Sequence, residues 1–160
     1  MRIMFIGNVE FSYRAFEKLI EINANLVGLI TKEKSNFNSD HVDLTSLSKK
    51  HNIPYFFSQN INDDDSIKWI KSLQPDIIFC FGWSHIIGDE VLKIPPKGII
   101  GFHPAKIPDN KGRHPIIWAL ALGLKKTAST FFFMDQGTDT GDILSQIEVK
   151  ISYKDDARTL

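Results

Sequence analysis

Cysteine is nearly absent. Cys80 is the only one in 160 residues, so neither an intrachain disulfide nor a cysteine metal cluster can form. Long hydrophobic runs are missing too, and no apolar stretch approaches the roughly 20 residues of a membrane span. The N-terminal MRIMFIGNVEF meets Glu10 too early for a signal-peptide core. Neither sign of charge is in excess, with 19 Lys and Arg against 19 Asp and Glu. That balance argues against a chain whose main task is gripping nucleic acid or an anionic membrane, while still allowing a local basic patch. A reducing cytoplasm fits these absences. Glycine is scarce where a dinucleotide fold would need it: the first turn, GNVEFS, holds one glycine where that motif has three. Glu10 also sets negative charge where a pyrophosphate would lie. A nicotinamide or flavin cofactor is therefore not expected, and no P-loop is present.

The chain does have short, solid apolar runs separated by amphipathic stretches. Arg2–Gly7, Asn25–Thr31, Asp76–Phe81 and Gly98–Phe102 read as strands, with a weaker one at PYFF after Pro54. Helices are expected over Glu10–Ile22, Val42–Lys50, Asp63–Ser72 and Ile116–Leu124, and two further strands over Ala128–Met134 and Ile143–Ile151. Lys32–Asp40 is polar and reads as a mobile loop. Strands that are apolar throughout are buried on both faces, as in a parallel sheet covered by helices. The expectation is one α/β domain over 1–160. The closing KDDARTL resembles the first turn of a helix, so the domain is expected to be truncated at its C-terminal end. Cys80, in DIIFCF, reads as a buried structural thiol.

Two stretches break this regular pattern. Residues 101–115, GFHPAKIPDNKGRHP, put three prolines, two glycines and two histidines into a strand-to-helix connection. Such connections are a common place for chemistry in α/β folds, although a rigid connector would look the same. The second stretch, MDQGTDTGDIL at 134–144, packs three aspartates into a tight reversal. It is either an acidic hairpin or a device that turns one carboxylate back toward His103. A histidine beside a carboxylate forms a tunable acid/base pair. The spacing of His103 and His114 and of Asp135, Asp139 and Asp142 matches no metal motif, so no metal is expected. A Ser-His-Asp hydrolase would lack its GxSxG elbow. His41, His51 and His85 have no partner pattern and default to surface or core roles.

Together, FHPAKIPDNKGRHPIIWALALGL and MDQGTDTGDI resemble the folate-dependent formyltransferases, along the chain from Met1 to its end. That group includes enzymes acting on glycinamide ribonucleotide, methionyl-tRNA and nucleotide-linked amino sugars. The resemblance implies a Rossmann-like, mostly parallel sheet with helices on both faces, and N10-formyltetrahydrofolate as formyl donor. It makes His103 and Asp139 the catalytic pair. The family's Asn, two residues before the His, is replaced by Gly101. This departure leaves the oxyanion donor open among a backbone N–H, a water, Ser84 and Asn110.

The folate is then expected beside Phe81, Gly82, Trp83, Ser84, Ile86 and Ile87, with Asp135 and Gly137 closing its other side. Trp83 reads equally as a core residue. Lys106, Asn110, Lys111 and Arg113 are candidates for the substrate. The loop wording is closest to the sugar N-formyltransferases, so the expected partner is a small molecule, a nucleotide amino sugar, with no nucleic acid and room for a homodimer. A methionyl-tRNA formyltransferase-like enzyme, a formyl hydrolase and a non-catalytic folate-binding remnant remain as alternatives.

Overall fold

The computed structural model describes residues 1–34 and 40–160, so most of the expected mobile loop, at 35–39, lies outside the described residues. The chain is α/β and forms two compact units, Met1–Ile100 and Gly101–Leu160.

The first unit alternates strand and helix: β1 (Ile3–Ile6), α1 (Glu10–Glu21), β2 (Leu26–Thr31), α2 (Thr45–Lys50), β3 (Tyr55–Phe57), α3 (Asp64–Leu73), β4 (Ile77–Cys80) and α4 (Asp89–Leu92). The four strands lie in the order β3-β2-β1-β4, and each neighbouring pair is parallel. All four residues of β1 are buried, as expected for a central parallel strand. Its register aligns Ile6 with Ile30 on one side and Cys80 on the other, so the carboxyl ends of β1, β2 and β4 finish at one level.

Helix α1 presents Phe16 to the sheet, where its ring lies 5.2 Å from that of Phe5. Fully burying side chains of this kind contributes roughly 1.5–3 kcal/mol each. The position of α3 is set by Gly28 in β2. A Cβ there would run into Leu73 Cδ1 and come within 2.8 Å of Trp69 Cη2, so the absent side chain lets α3 approach the strand. Trp69 then stacks on Phe56 at 5.5 Å.

The start of α3 is capped by Asp63, whose Oδ1 accepts the Ser66 N–H at 2.8 Å. Asp63→Ala should lower stability by about 1 kcal/mol. Chemical denaturation would check this, and an unchanged midpoint would show that the cap contributes nothing. Cys80 is buried, and burial pushes its thiol up to about 12.

The second unit opens within β5 (Ile99–His103) and continues with α5 (Pro115–Ala121), β6 (Lys126–Phe133) and β7 (Ile143–Lys150). Here β6 lies between β5 and β7, and its pairing with β7 is antiparallel.

Two details differ from the sequence reading. Helix α2 begins later than Val42, because Asp43 Oδ1 accepts the Thr45 N–H at 2.8 Å and holds the preceding residues in a turn. The single-turn α4 has no counterpart among the expected elements. As expected of a first helical turn, the Leu160 N–H donates to the Asp156 carbonyl at 3.1 Å, and Asp156 Oδ1 accepts from the N–H groups of Arg158 and Thr159 at 2.8 and 3.0 Å.

Candidate active site

His103 is the last residue of β5, and it is buried. The loop that follows is tied down along its length. Thr130 Oγ1 donates to the Ala105 carbonyl at 2.7 Å, and Gln146 Nε2 donates to the Ile107 carbonyl at 3.0 Å. The Asn110 N–H donates to the Lys106 carbonyl at 2.8 Å. This brings the Asn110 carbonyl to 2.8 Å from His103 Nε2. A carbonyl only accepts, so Nε2 carries a hydrogen and the ring orientation is fixed.

The other ring nitrogen, Nδ1, faces Asp139 Oδ2 at 3.6 Å. That is beyond hydrogen-bond length, and catalytic contacts of this kind often tighten only once substrate is bound. Asp139 is held in turn by the loop, since its Oδ2 accepts the Gly112 N–H at 2.9 Å. Its backbone is left-handed, with φ of 52°, an uncommon state for a residue other than glycine. The structure thus brings together His103, Asp139 and the main chain of Asn110 and Gly112. Asn110, a substrate candidate from sequence, reaches His103 through its backbone.

The turn before Asp139 is built by Asp135. Its Oδ1 accepts from the Gly137 N–H at 2.9 Å and from Thr140 Oγ1 at 2.6 Å, so this carboxylate shapes the turn. Asn110, Lys111 and Arg113 line a cavity of about 270 Å³ together with Trp118 and Leu122. Lys106 instead pairs with Asp109 at 3.1 Å, on the surface.

Gly101 has a packing reason. A Cβ on it would lie 2.9 Å from Phe132 Cζ and 3.0 Å from Met134 Cγ. The position where the resemblance implies an Asn is therefore backed by an aromatic ring and a thioether.

In the first unit, the stretch Phe81–Ile87 follows β4. Phe81 is buried, and its carbonyl accepts from Ser12 Oγ at 2.6 Å. Gly82 is left-handed, at φ 66°. Asn62 clamps the far end of the stretch, donating to the Ile86 carbonyl at 3.0 Å and accepting the Gly88 N–H at 2.7 Å. Of the residues expected to wall the folate, Ile87 is buried in the core, whereas Ile86 is held 74% exposed. Ser84 is exposed. Trp83 is half-buried, with Lys32 Nζ 4.9 Å from its ring centroid. Lys32, expected from sequence to open a mobile loop, is instead buried directly after β2.

The family profile described as formyl transferase matches residues 1–160. The chain belongs to the formyl transferase family. Members of that family take their formyl group from N10-formyltetrahydrofolate. A curated relative, the methionyl-tRNA formyltransferase of Alkaliphilus oremlandii, is 32% identical over 164 residues, covering 100% of this chain and 53% of the relative.

Among solved structures, phosphoribosylglycinamide formyltransferase from Bacillus halodurans superposes with a TM-score of 0.85 at 22% identity, covering 99% of this chain and 84% of that one. A sugar 3N-formyl transferase solved with dTDP and 5-N-formyl-THF gives 0.74 at 20% identity, covering 99% and 55%. These likenesses establish the formyltransferase fold. The chain spans about half the length of the methionyl-tRNA formyltransferases it matches, at 53% and 50% for two of them.

Proposed function

We propose that this formyl transferase domain serves an enzyme that moves a formyl group from N10-formyltetrahydrofolate to the amino group of a nucleotide-linked amino sugar. The observation that carries the chemistry is the buried His103, oriented through Nε2 by the Asn110 carbonyl and facing Asp139 through Nδ1.

The residues present fit a pterin. Ile86 offers an exposed apolar face, on a backbone that Asn62 holds in place. The bound folate would supply the formyl carbon. His103 would hold a proton at Nδ1, close to the oxygen that gains negative charge when an amine attacks. Asp139 would stabilise that proton on the ring, accept the one shed by the amine, directly or through a water, and return it to the folate nitrogen as the bond from that nitrogen to the formyl carbon breaks. Because Nε2 is committed to a carbonyl, proton traffic is assigned to the Nδ1 side alone.

For the acceptor, two features support a sugar: the loop wording HPAKIPDNKGRHPIIWALALG and the zero net charge. The identity to methionyl-tRNA formyltransferases favours a second reading, in which the acceptor is an aminoacyl-tRNA. Incubating the protein with N10-formyltetrahydrofolate and either a panel of nucleotide amino sugars or methionyl-tRNA, with products read by mass spectrometry, separates the two. Formylated sugar supports the proposal, and formylated methionyl-tRNA alone replaces it.

A further inference from the structure

Lys32 is a buried cation that the catalytic reading does not use. It directly follows β2 and is 5% exposed. Among the described residues no carboxylate pairs with it. Its Nζ donates to His85 Nδ1 at 3.2 Å and lies 4.9 Å from the Trp83 ring centroid. The two rings are 6.1 Å apart. An ammonium can only donate, so Nδ1 of His85 accepts, and His85 meets Lys32 as the neutral ring.

Other donors are left over at the same edge of this unit. Trp83 Nε1, Thr31 Oγ1 and the Asn8 amide are buried without hydrogen-bond partners among the described residues. The register that aligns Ile6, Ile30 and Cys80 places Asn8, Lys32 and Gly82 each two residues beyond that line. Lys32 and the unused Asn8 amide thus stand at one level of the sheet's carboxyl edge, Thr31 comes one residue before that level and Trp83 one residue after it, and exposed His85 opens the edge to solvent. Burying a charge without a counter-ion is costly, and burial holds the Lys32 ammonium below its ordinary range. A cost of this kind, set where α/β sheets bind ligands, points to an anion that supplies the missing charge.

We propose that Lys32, with His85 and Trp83 beside it, forms a phosphate-binding subsite that holds a phosphate group of the substrate. Phosphate is favoured over a carboxylate because its oxygens can accept from several donors at once, and a lysine serves it as a point charge. That this phosphate belongs to the acceptor rests on the proposed nucleotide-sugar reading.

Isothermal titration of the protein with inorganic pyrophosphate, glutarate and 5-formyltetrahydrofolate tests the proposal, using the native chain, Lys32→Met and Lys32→Arg. Pyrophosphate should bind the native chain. Lys32→Met should weaken it by about tenfold or more, and Lys32→Arg should keep most of the affinity. Without ligand, Lys32→Met should melt a few degrees higher, because an unpaired buried charge is removed at nearly constant volume. Pyrophosphate should then raise the melting temperature of the native chain and of Lys32→Arg but not that of Lys32→Met. A lysine serving packing alone would give a lower Tm in Lys32→Met and equal pyrophosphate affinity in both, and either result overturns the subsite. Absent pyrophosphate binding, or tighter Lys32-dependent binding of glutarate, overturns it as well. If 5-formyltetrahydrofolate fails to bind while Lys32-dependent pyrophosphate binding persists, the formyl-transfer reading falls and the subsite stands.

Discussion

Replacing His103 or Asp139 should each cut formyl transfer by roughly 10²–10⁴-fold, the range expected for a positioned proton-transfer group. The loop geometry dictates which variants make this a clean test. His103→Ala removes the donor that satisfies the Asn110 carbonyl, so it also destabilises the loop by about 1–3 kcal/mol. Asp139→Ala likewise strips the acceptor from the Gly112 N–H.

Asp139→Asn separates the two roles. It keeps an oxygen for Gly112 and removes only the charge facing His103. A large loss of turnover in Asp139→Asn, with the melting temperature unchanged, assigns Asp139 to the chemistry. Near-normal turnover in that variant would make Asp139 a loop anchor. Because the two side chains act as one unit, the double variant should be little worse than the poorer single one, which single-turnover kinetics would show. Fully multiplicative losses would mean that His103 and Asp139 work independently.

How far such a site is legible in sequence depends on what kind of group does the work. His103 and Asp139 stood out because each lies in a stretch, GFHPAKIPDNKGRHP and MDQGTDTGDIL, whose wording breaks the regular strand and helix pattern. The group that orients His103 did not, because it is the carbonyl of Asn110, and every residue has a carbonyl. Lys32 was hidden for a different reason. In LITKEKS it reads as the first residue of a solvated loop, and only the register of β2 against β1 and β4 keeps it inside.

The strands were easier. β1, β2 and β4 are solid apolar runs, since both their faces need covering. The four-residue α4 is a single turn, too short for any helical period to appear. At α2 the periodic pattern extended back over Val42 and Leu44, but a local Asx turn at Asp43 set the boundary.

Gly101→Asn should bring no gain in transfer and should cost about 1–3 kcal/mol of stability, as overpacking of a filled core typically does. The resemblance suggests the opposite, since it implies an Asn here and a restored oxyanion donor can be worth roughly 10²–10³-fold in rate. The contacts decide between the two. Even a Cβ at 101 would press on Phe132 Cζ at 2.9 Å and Met134 Cγ at 3.0 Å, and Phe132 is only 4% exposed. An amide beyond that Cβ needs more room still. The φ of residue 101 does not call for glycine, so crowding is the operative cost.

If crowding is the whole obstacle, Phe132→Leu in the Gly101→Asn background should restore stability, and any latent gain in transfer should appear there. Melting temperatures and single-turnover rates of the native chain, Gly101→Asn and the double variant would settle the point. A rate increase of one to two orders of magnitude in Gly101→Asn alone would mean that the native site lacks a donor, and that Phe132 and Met134 yield more easily than their packing implies.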